Sequence, residues 1–307
     1  MSSYDRPTQG FFSAWLGEIR ARPWSAGALG IALLAVLFLL LTQLFTTSAL
    51  PETFHNASIG GFVGFASTAL GAAGALLLRN LKARTEDSML GFAAGMMLAA
   101  ASFSLILPGL AEGERLTGSP VISALILSLG LALGVALMLG LDRFTPHEHE
   151  YIGAHGPDYQ RLGRVWLFSL AIALHNLPEG MAIGVSFSGG DLSVGLPLTT
   201  AIAVQNVPEG LAVAMALRAA GMQPLTAALL AGATGLMELL GAFLGIGVAS
   251  GIPVAYPVGL GLAAGAMIFV VSHEVIPETH RNGHQTPATL GLMLGFGLMM
   301  VLDTALG

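Results

Sequence analysis

The sequence predicts an all-α fold, a polytopic helical membrane protein, and three observations predict it. The 307 residues are 54% apolar and 10% charged, with a mean hydropathy of +0.76, far from the balance of a soluble domain. Nine apolar runs of spanning length follow one another along the chain. With the N-terminus in the cytoplasm, eleven of the twelve Lys and Arg residues fall in inner segments, Arg115 being the exception. Adding or removing one span scrambles that asymmetry.

Residues 1–24 are read as a polar cytosolic segment carrying Arg6, Arg20 and Arg22. The run at 25–45 is read as an uncleaved transmembrane helix. A signal peptide ending near Thr47-Ser48-Ala49 is disfavoured, because the apolar core is about twenty residues long and a signal core is about 7–15. Residues 58–307 form the main domain, with eight spans near 58–79, 88–110, 121–141, 164–186, 195–219, 224–249, 254–277 and 287–306. Glycines recur four apart in them (Gly60/Gly64, Gly91/Gly95, Gly130/Gly134, Gly241/Gly245, Gly261/Gly265, Gly291/Gly295), which lets helix backbones approach closely. The inner loop 142–163 opens with Asp142 and carries His147-Glu148-His149-Glu150 and His155. It reads either as a solvated loop or as a weak metal collector.

Composition excludes several function classes. Without cysteine there are no disulfides, thiolate ligands or cysteine nucleophiles. Nothing is basic enough for nucleic acid. Any metal must be held by His, carboxylate, amide or Met.

The chemistry lies in His175-Asn176-Leu177-Pro178-Glu179-Gly180 and its near copy, Gln205-Asn206-Val207-Pro208-Glu209-Gly210. At about 100° per residue, Glu179 projects between His175 and Asn176, so its carboxylate can bridge two cations. Gln205, Asn206 and Glu209 repeat the arrangement. Pro178 and Pro208 release the carbonyls of Leu174 and Val204 and are expected to bend their helices. Glu238 is central in the following span. Three carboxylates therefore sit at mid-depth with no Lys or Arg beside them, at a cost of about 2.5–3.5 kcal/mol each when ionised. Protonation or a bound cation must compensate, and His175 favours the cation. Met97 shares that depth and reads as core unless it faces the cluster. Ser104 lies one to two turns further out. His273-Glu274 and Pro277 lack the second His of a zinc-protease helix, and read as the exit of a cation path or as an interfacial helix end. Asp87 and Asp303 lie at helix ends, where solvated termini are the default.

Together these residues resemble the ZIP (ZRT/IRT-like) family of divalent metal transporters in a prokaryotic form, over about residue 58 to the end. The resemblance implies a core of three, two and three spans with inverted repeats, and a binuclear site. One ion would be held by Met97, His175, Glu179, Gln205 and Glu209. The second would be held by Asn176, Glu179, Asn206, Glu209 and Glu238. Asn206 stands where related sequences often have Asp, which implies a weaker second position. The run at 25–45 is an addition to the family's usual eight spans. The implied function is non-enzymatic movement of Zn²⁺ (Cd²⁺ as surrogate, with Fe²⁺ and Mn²⁺ in the same class) into the cytosol, by an elevator-like movement, in a homodimer of the inner membrane. Asp87, Asp142, His147, His149, Ser104, His273, Glu274 and Asp303 are candidate pathway or secondary metal residues. Two rivals are a membrane metallohydrolase, which lacks a spare general base, and a proton-coupled organic carrier, which leaves His175 and the paired amides unexplained.

Overall fold

The computed structural model describes residues 16–17, 19–44, 50–78, 82–145, 147–149, 153–155, 164–219, 221–280 and 282–306. Helix α1 (Pro23–Leu44) is followed by α2 (Leu50–Gly74) and α3 (Ala83–Ala100). A π-helical turn at Ala101–Ile106 carries α3 into α4 (Leu107–Thr117), and α5 (Pro120–Phe144) comes next. A two-stranded antiparallel ribbon, β1 (His147–His149) and β2 (Gly153–His155), interrupts the inner loop. Then come α6 (Arg164–Ser188), α7 (Leu192–Ala219), α8 (Pro224–Thr234), α9 (Leu236–Ala249) and α10 (Ala255–Val270). A second π turn at Val271–Val275 leads into the short α11 (Ile276–Thr279), and α12 (Gln285–Leu306) closes the described chain.

Among the described residues, eight stretches are long and apolar enough to cross a membrane. Helix α6, 25 residues long, has about 37 Å of length at 1.5 Å per residue, enough for a span in its own right. The helices overrun the apolar runs. α2 begins at Leu50 rather than 58, and the third crossing covers Ala83–Thr117 rather than 88–110. Backbone hydrogen bonding continues into more polar residues, where hydropathy no longer marks the helix. Chain reversal between α4 and α5 has a local cause. Gly118 takes φ 67° and closes α4, then Ser119 accepts from the Ile122 N–H while Pro120 starts α5.

Backbone-to-backbone packing at glycine organises the bundle. A Cβ on Gly91 or Gly95 of α3 would strike the carbonyls of Ala288 and Leu292 on α12, and Gly291 and Gly295 meet Ser88 and Phe92 in return. Gly130 and Gly134 of α5 meet α10 in the same way, as do Gly261 and Gly265 of α10 against α5. The two contacts are copies in sequence. Leu90, Gly91, Ala93, Ala94, Gly95, Met97 and Ser102 recur as Leu260, Gly261, Ala263, Ala264, Gly265, Met267 and Ser272. Gly130, Gly134, Met138 and Asp142 recur as Gly291, Gly295, Met299 and Asp303. A second set of glycines joins α6 to α9 (Gly180, Gly184, Gly241, Gly245) and α2 to α7 (Gly71, Gly210). Bulkier side chains fill the main core, including Met96, Met97, Leu105, Ile183, Leu198, Ile202, Ile246, Leu260 and Met267. α1 lies against α5, where Gly140 accepts Leu29, and Arg143 donates to the Ser25 hydroxyl at 2.7 Å. Arg218 of α7 donates to the carbonyls of Ala75 and Leu78 and so ties down the end of α2.

Candidate metal site

Helices α6 and α7 run unbroken through Pro178, Pro197 and Pro208. α8 and α9 replace the single helix expected over 224–249, with a turn at Gly235. That glycine lies against Thr68 of α2, and Glu238 sits in the first turn of α9.

His175, Asn176, Glu179, Gln205, Asn206, Glu209 and Glu238 are all buried. Gln205 Nε2 donates to Glu179 Oε1 at 3.1 Å, and Asn206 Nδ2 donates to Glu238 Oε2 at 2.7 Å. Thr68 Oγ1 donates to Glu238 Oε1 at 2.5 Å, and Asn176 Nδ2 to Thr234 Oγ1 at 3.2 Å. Glu179 lies within electrostatic reach of Glu209 and Glu238, and His175 within reach of Glu209. Among the described residues, no three His, Asp or Glu side chains converge closely enough to hold one ion between them. The donor set mixes carboxylates with amides and one imidazole. Among the described residues, five buried side-chain oxygens have no hydrogen-bond partner: Glu179 Oε2, Gln205 Oε1, Asn206 Oδ1, Glu209 Oε2 and Thr199 Oγ1. Four of these belong to the paired motif and are pure acceptors. An unsatisfied buried acceptor costs about 1–3 kcal/mol, and a cation is what such a set fits.

The outlying candidates separate. Glu274, expected near the inner end of its span, is buried and bonds directly to the His175 ring, with Asp142 in electrostatic reach of the same ring. The π turn is the reason. Its Ile276 N–H reaches back five residues to Val271 O, which inserts an extra residue and re-aims Glu274. His273 points elsewhere: it is exposed and stacks on Phe269 at 4.9 Å. The first π turn, closed by the Leu107 N–H on Ser102 O, brings Ser104 Oγ to Asp303 Oδ1 at 2.6 Å. Asp87 is no solvated terminus. It is 1% exposed and is bonded by Asn282 Nδ2 at 3.0 Å and His284 Nδ1 at 2.7 Å, so it ties down the turn before α12. Met97 is fully buried on α3, which packs on α7. The backbones of His147 and His149 lie in β1, and their side chains lie outside what is described, as do Glu150 and the Thr47–Ala49 stretch.

Sequence reasoning missed Thr68 and Thr234, because a Thr in an apolar helix reads as a hydroxyl bonded to its own backbone. It also missed a cavity of about 690 Å³ at the end of the bundle where α6 turns into α7, lined in part by Glu112, Arg115, Asp191 and Tyr256. Asp191 there accepts from the Ser193 N–H at 2.8 Å. Hydrogen bonds from the Ser193 side chain and backbone hold its carboxyl below the usual range, so it is ionised at neutral pH.

Residues 145–303 match the family model described as ZIP zinc transporter. The chain is 60% identical over 296 residues to zinc transporter ZIPB of Bordetella bronchiseptica, covering 96% of both chains. It is 40% identical to zinc transporter GufA of Myxococcus xanthus, over 78% of this chain and 95% of that one. With human zinc transporter ZIP11 the identity is 30%, over 83% and 98%.

Proposed function

Since the chain belongs to the ZIP family of zinc transporters, multi-pass membrane proteins that are transporters and not enzymes, we propose that it moves Zn²⁺ across the inner membrane into the cytosol through the α6–α7 motif. The observation that carries this reading is the set of four partnerless acceptor oxygens on Glu179, Gln205, Asn206 and Glu209, buried on two adjacent helices. In this reading Glu179, Gln205 and Glu209, with the His175 imidazole and the Met97 sulfur, would hold one ion, the set that the family resemblance implies. Glu274 orients His175 from its other side, the arrangement by which carboxylates raise the basicity of a ligating imidazole. The second position that the resemblance implies would need Asn176, Asn206 and Glu238, with Glu179 and Glu209 shared between the two. Cd²⁺, Fe²⁺ and Mn²⁺ suit the same mixed ligand set.

Passage follows from the packing. The glycine contacts join α2 to α7 and α6 to α9, a group that holds every named ligand except Met97 of α3, while α3–α12 and α5–α10 form the repeated pairs. Sliding of the first group against the second would expose the site alternately, first beside Ser104 and Asp303, then beside Glu274 and Asp142. The bias of eleven Lys and Arg in twelve toward one side supports a cytosolic N-terminus. The chain is taken to work as a homodimer in the bilayer, as the family resemblance implies.

The test is zinc uptake into proteoliposomes by the wild type, Glu179→Ala and Glu209→Ala. Each variant is expected to lose at least about tenfold in rate, the scale on which even the partner of a metal ligand acts. Wild-type rates in both variants would remove the reading.

A further inference from the structure

Glu238 is held differently from the other motif carboxylates. Glu179 and Glu209 each keep an oxygen without a partner, and Glu238 keeps none. Thr68 donates to its Oε1 at 2.5 Å and Asn206 to its Oε2 at 2.7 Å. Its carboxylate lies against the bare Cα of Gly64, where a Cβ would strike Glu238 Oε2. Gly235, three residues before it, leaves room for Thr68 to approach. The carboxylate is thus drawn toward α2.

The Asn206 amide faces Glu238 with its NH₂ group, while its Oδ1 is among the partnerless acceptors. An ion between Asn206 and Glu238 would need an oxygen from each. Here one of the two presents a hydrogen. To admit a cation the amide must turn over, lose the bond to Glu238 and bury its NH₂ where Oδ1 now lies.

We propose that Thr68 is a positioning residue which, with Asn206, closes Glu238 into a metal-free clasp joining α2, α7 and α9, so that this chain carries one tightly held ion in place of two. The inference rests on the transport reading above and narrows it. The clasp satisfies Glu238 with hydrogen bonds instead of a second dication. Thr68 acts through the carboxylate and touches no ion itself.

The experiment is zinc stoichiometry of the purified full chain in detergent, by titration calorimetry with elemental analysis, for the wild type, Asn206→Asp, Thr68→Val and Thr68→Ser. The wild type is expected to bind one zinc per chain tightly. Asn206→Asp replaces the donor by a charged acceptor. Thr68→Val strips a donor from Glu238 and leaves an oxygen that a cation can satisfy. Each is expected to tighten the second zinc by about tenfold or more, an energy of about 1.4 kcal/mol, while Thr68→Ser keeps the hydroxyl and the wild-type stoichiometry. Two zinc ions of similar affinity in the wild type, or a single ion in Asn206→Asp, would overturn the clasp. If Thr68→Val does not fold, Asn206→Asp alone decides. Absence of any bound zinc in the wild type would instead defeat the transport reading, and the clasp would fall with it.

Discussion

At the scale of single residues, Glu274 separates what spacing can and cannot reveal. The paired motif was legible because one span holds His175, Asn176 and Glu179 within a turn and a half, and the next repeats the pattern. All are buried as expected. Glu274 reads as a path exit or an interfacial helix end, and its bond to His175 stays hidden because linear counting assumes an even 3.6-residue turn, which the π turn breaks. Thr68 was illegible for another reason: its partner Glu238 is 170 positions away in sequence. Asp87 was read as solvated, and its burial depends on Asn282 and His284 folding back over it. The role given to Glu274 makes a prediction. Glu274→Gln keeps the shape but weakens acceptance from the imidazole, so zinc affinity should fall about 10–100-fold, the usual cost of losing such a partner. Calorimetric titration of that variant measures it, and wild-type affinity would show that His175 needs no such support.

At the scale of elements, the positions of the spans were legible and their interruptions were not. Apolar runs located the crossings, because the bilayer demands about twenty apolar residues. The two π turns and the turn at Gly235 change backbone register without changing hydropathy, so no composition signal marks them. Proline does not end these helices: α6 and α7 continue through theirs. Glycine spacing was read well, and the structure divides it by consequence. Gly180 faces the Glu238 backbone carbonyl, so a methyl there must push α6 off α9, whereas Gly297 of α12 has open space around its Cα. Gly180→Ala is therefore expected to cost about 1–3 kcal/mol from overpacking, and Gly297→Ala to be neutral or slightly stabilising. Thermal unfolding of the two variants in the same detergent checks the contrast. Equal stability would mean that the α6–α9 contact is not tight.

At the scale of the whole molecule, two sequence copies of one helix contact frame the motif helices. Under the alternating crossings expected from the sequence, α3 and its copy α10 run in opposite directions, as do α5 and α12. That supports an inverted repeat across the membrane. The polar residues of the two copies differ. One copy pairs Ser104 with Asp303, and the other bonds Glu274 to His175, with Asp142 within electrostatic reach of the ring. Buried acceptors without partners lie on the motif helices α6 and α7. A dication held at those acceptors is the centre of the account. Anomalous scattering at the zinc edge from crystals of the zinc-loaded chain tests it most directly. The account predicts a peak about 2.0–2.2 Å from carboxylate oxygens of Glu179 and Glu209. A peak confined to the loop of His147 and His149, or none between α6 and α7, would contradict it.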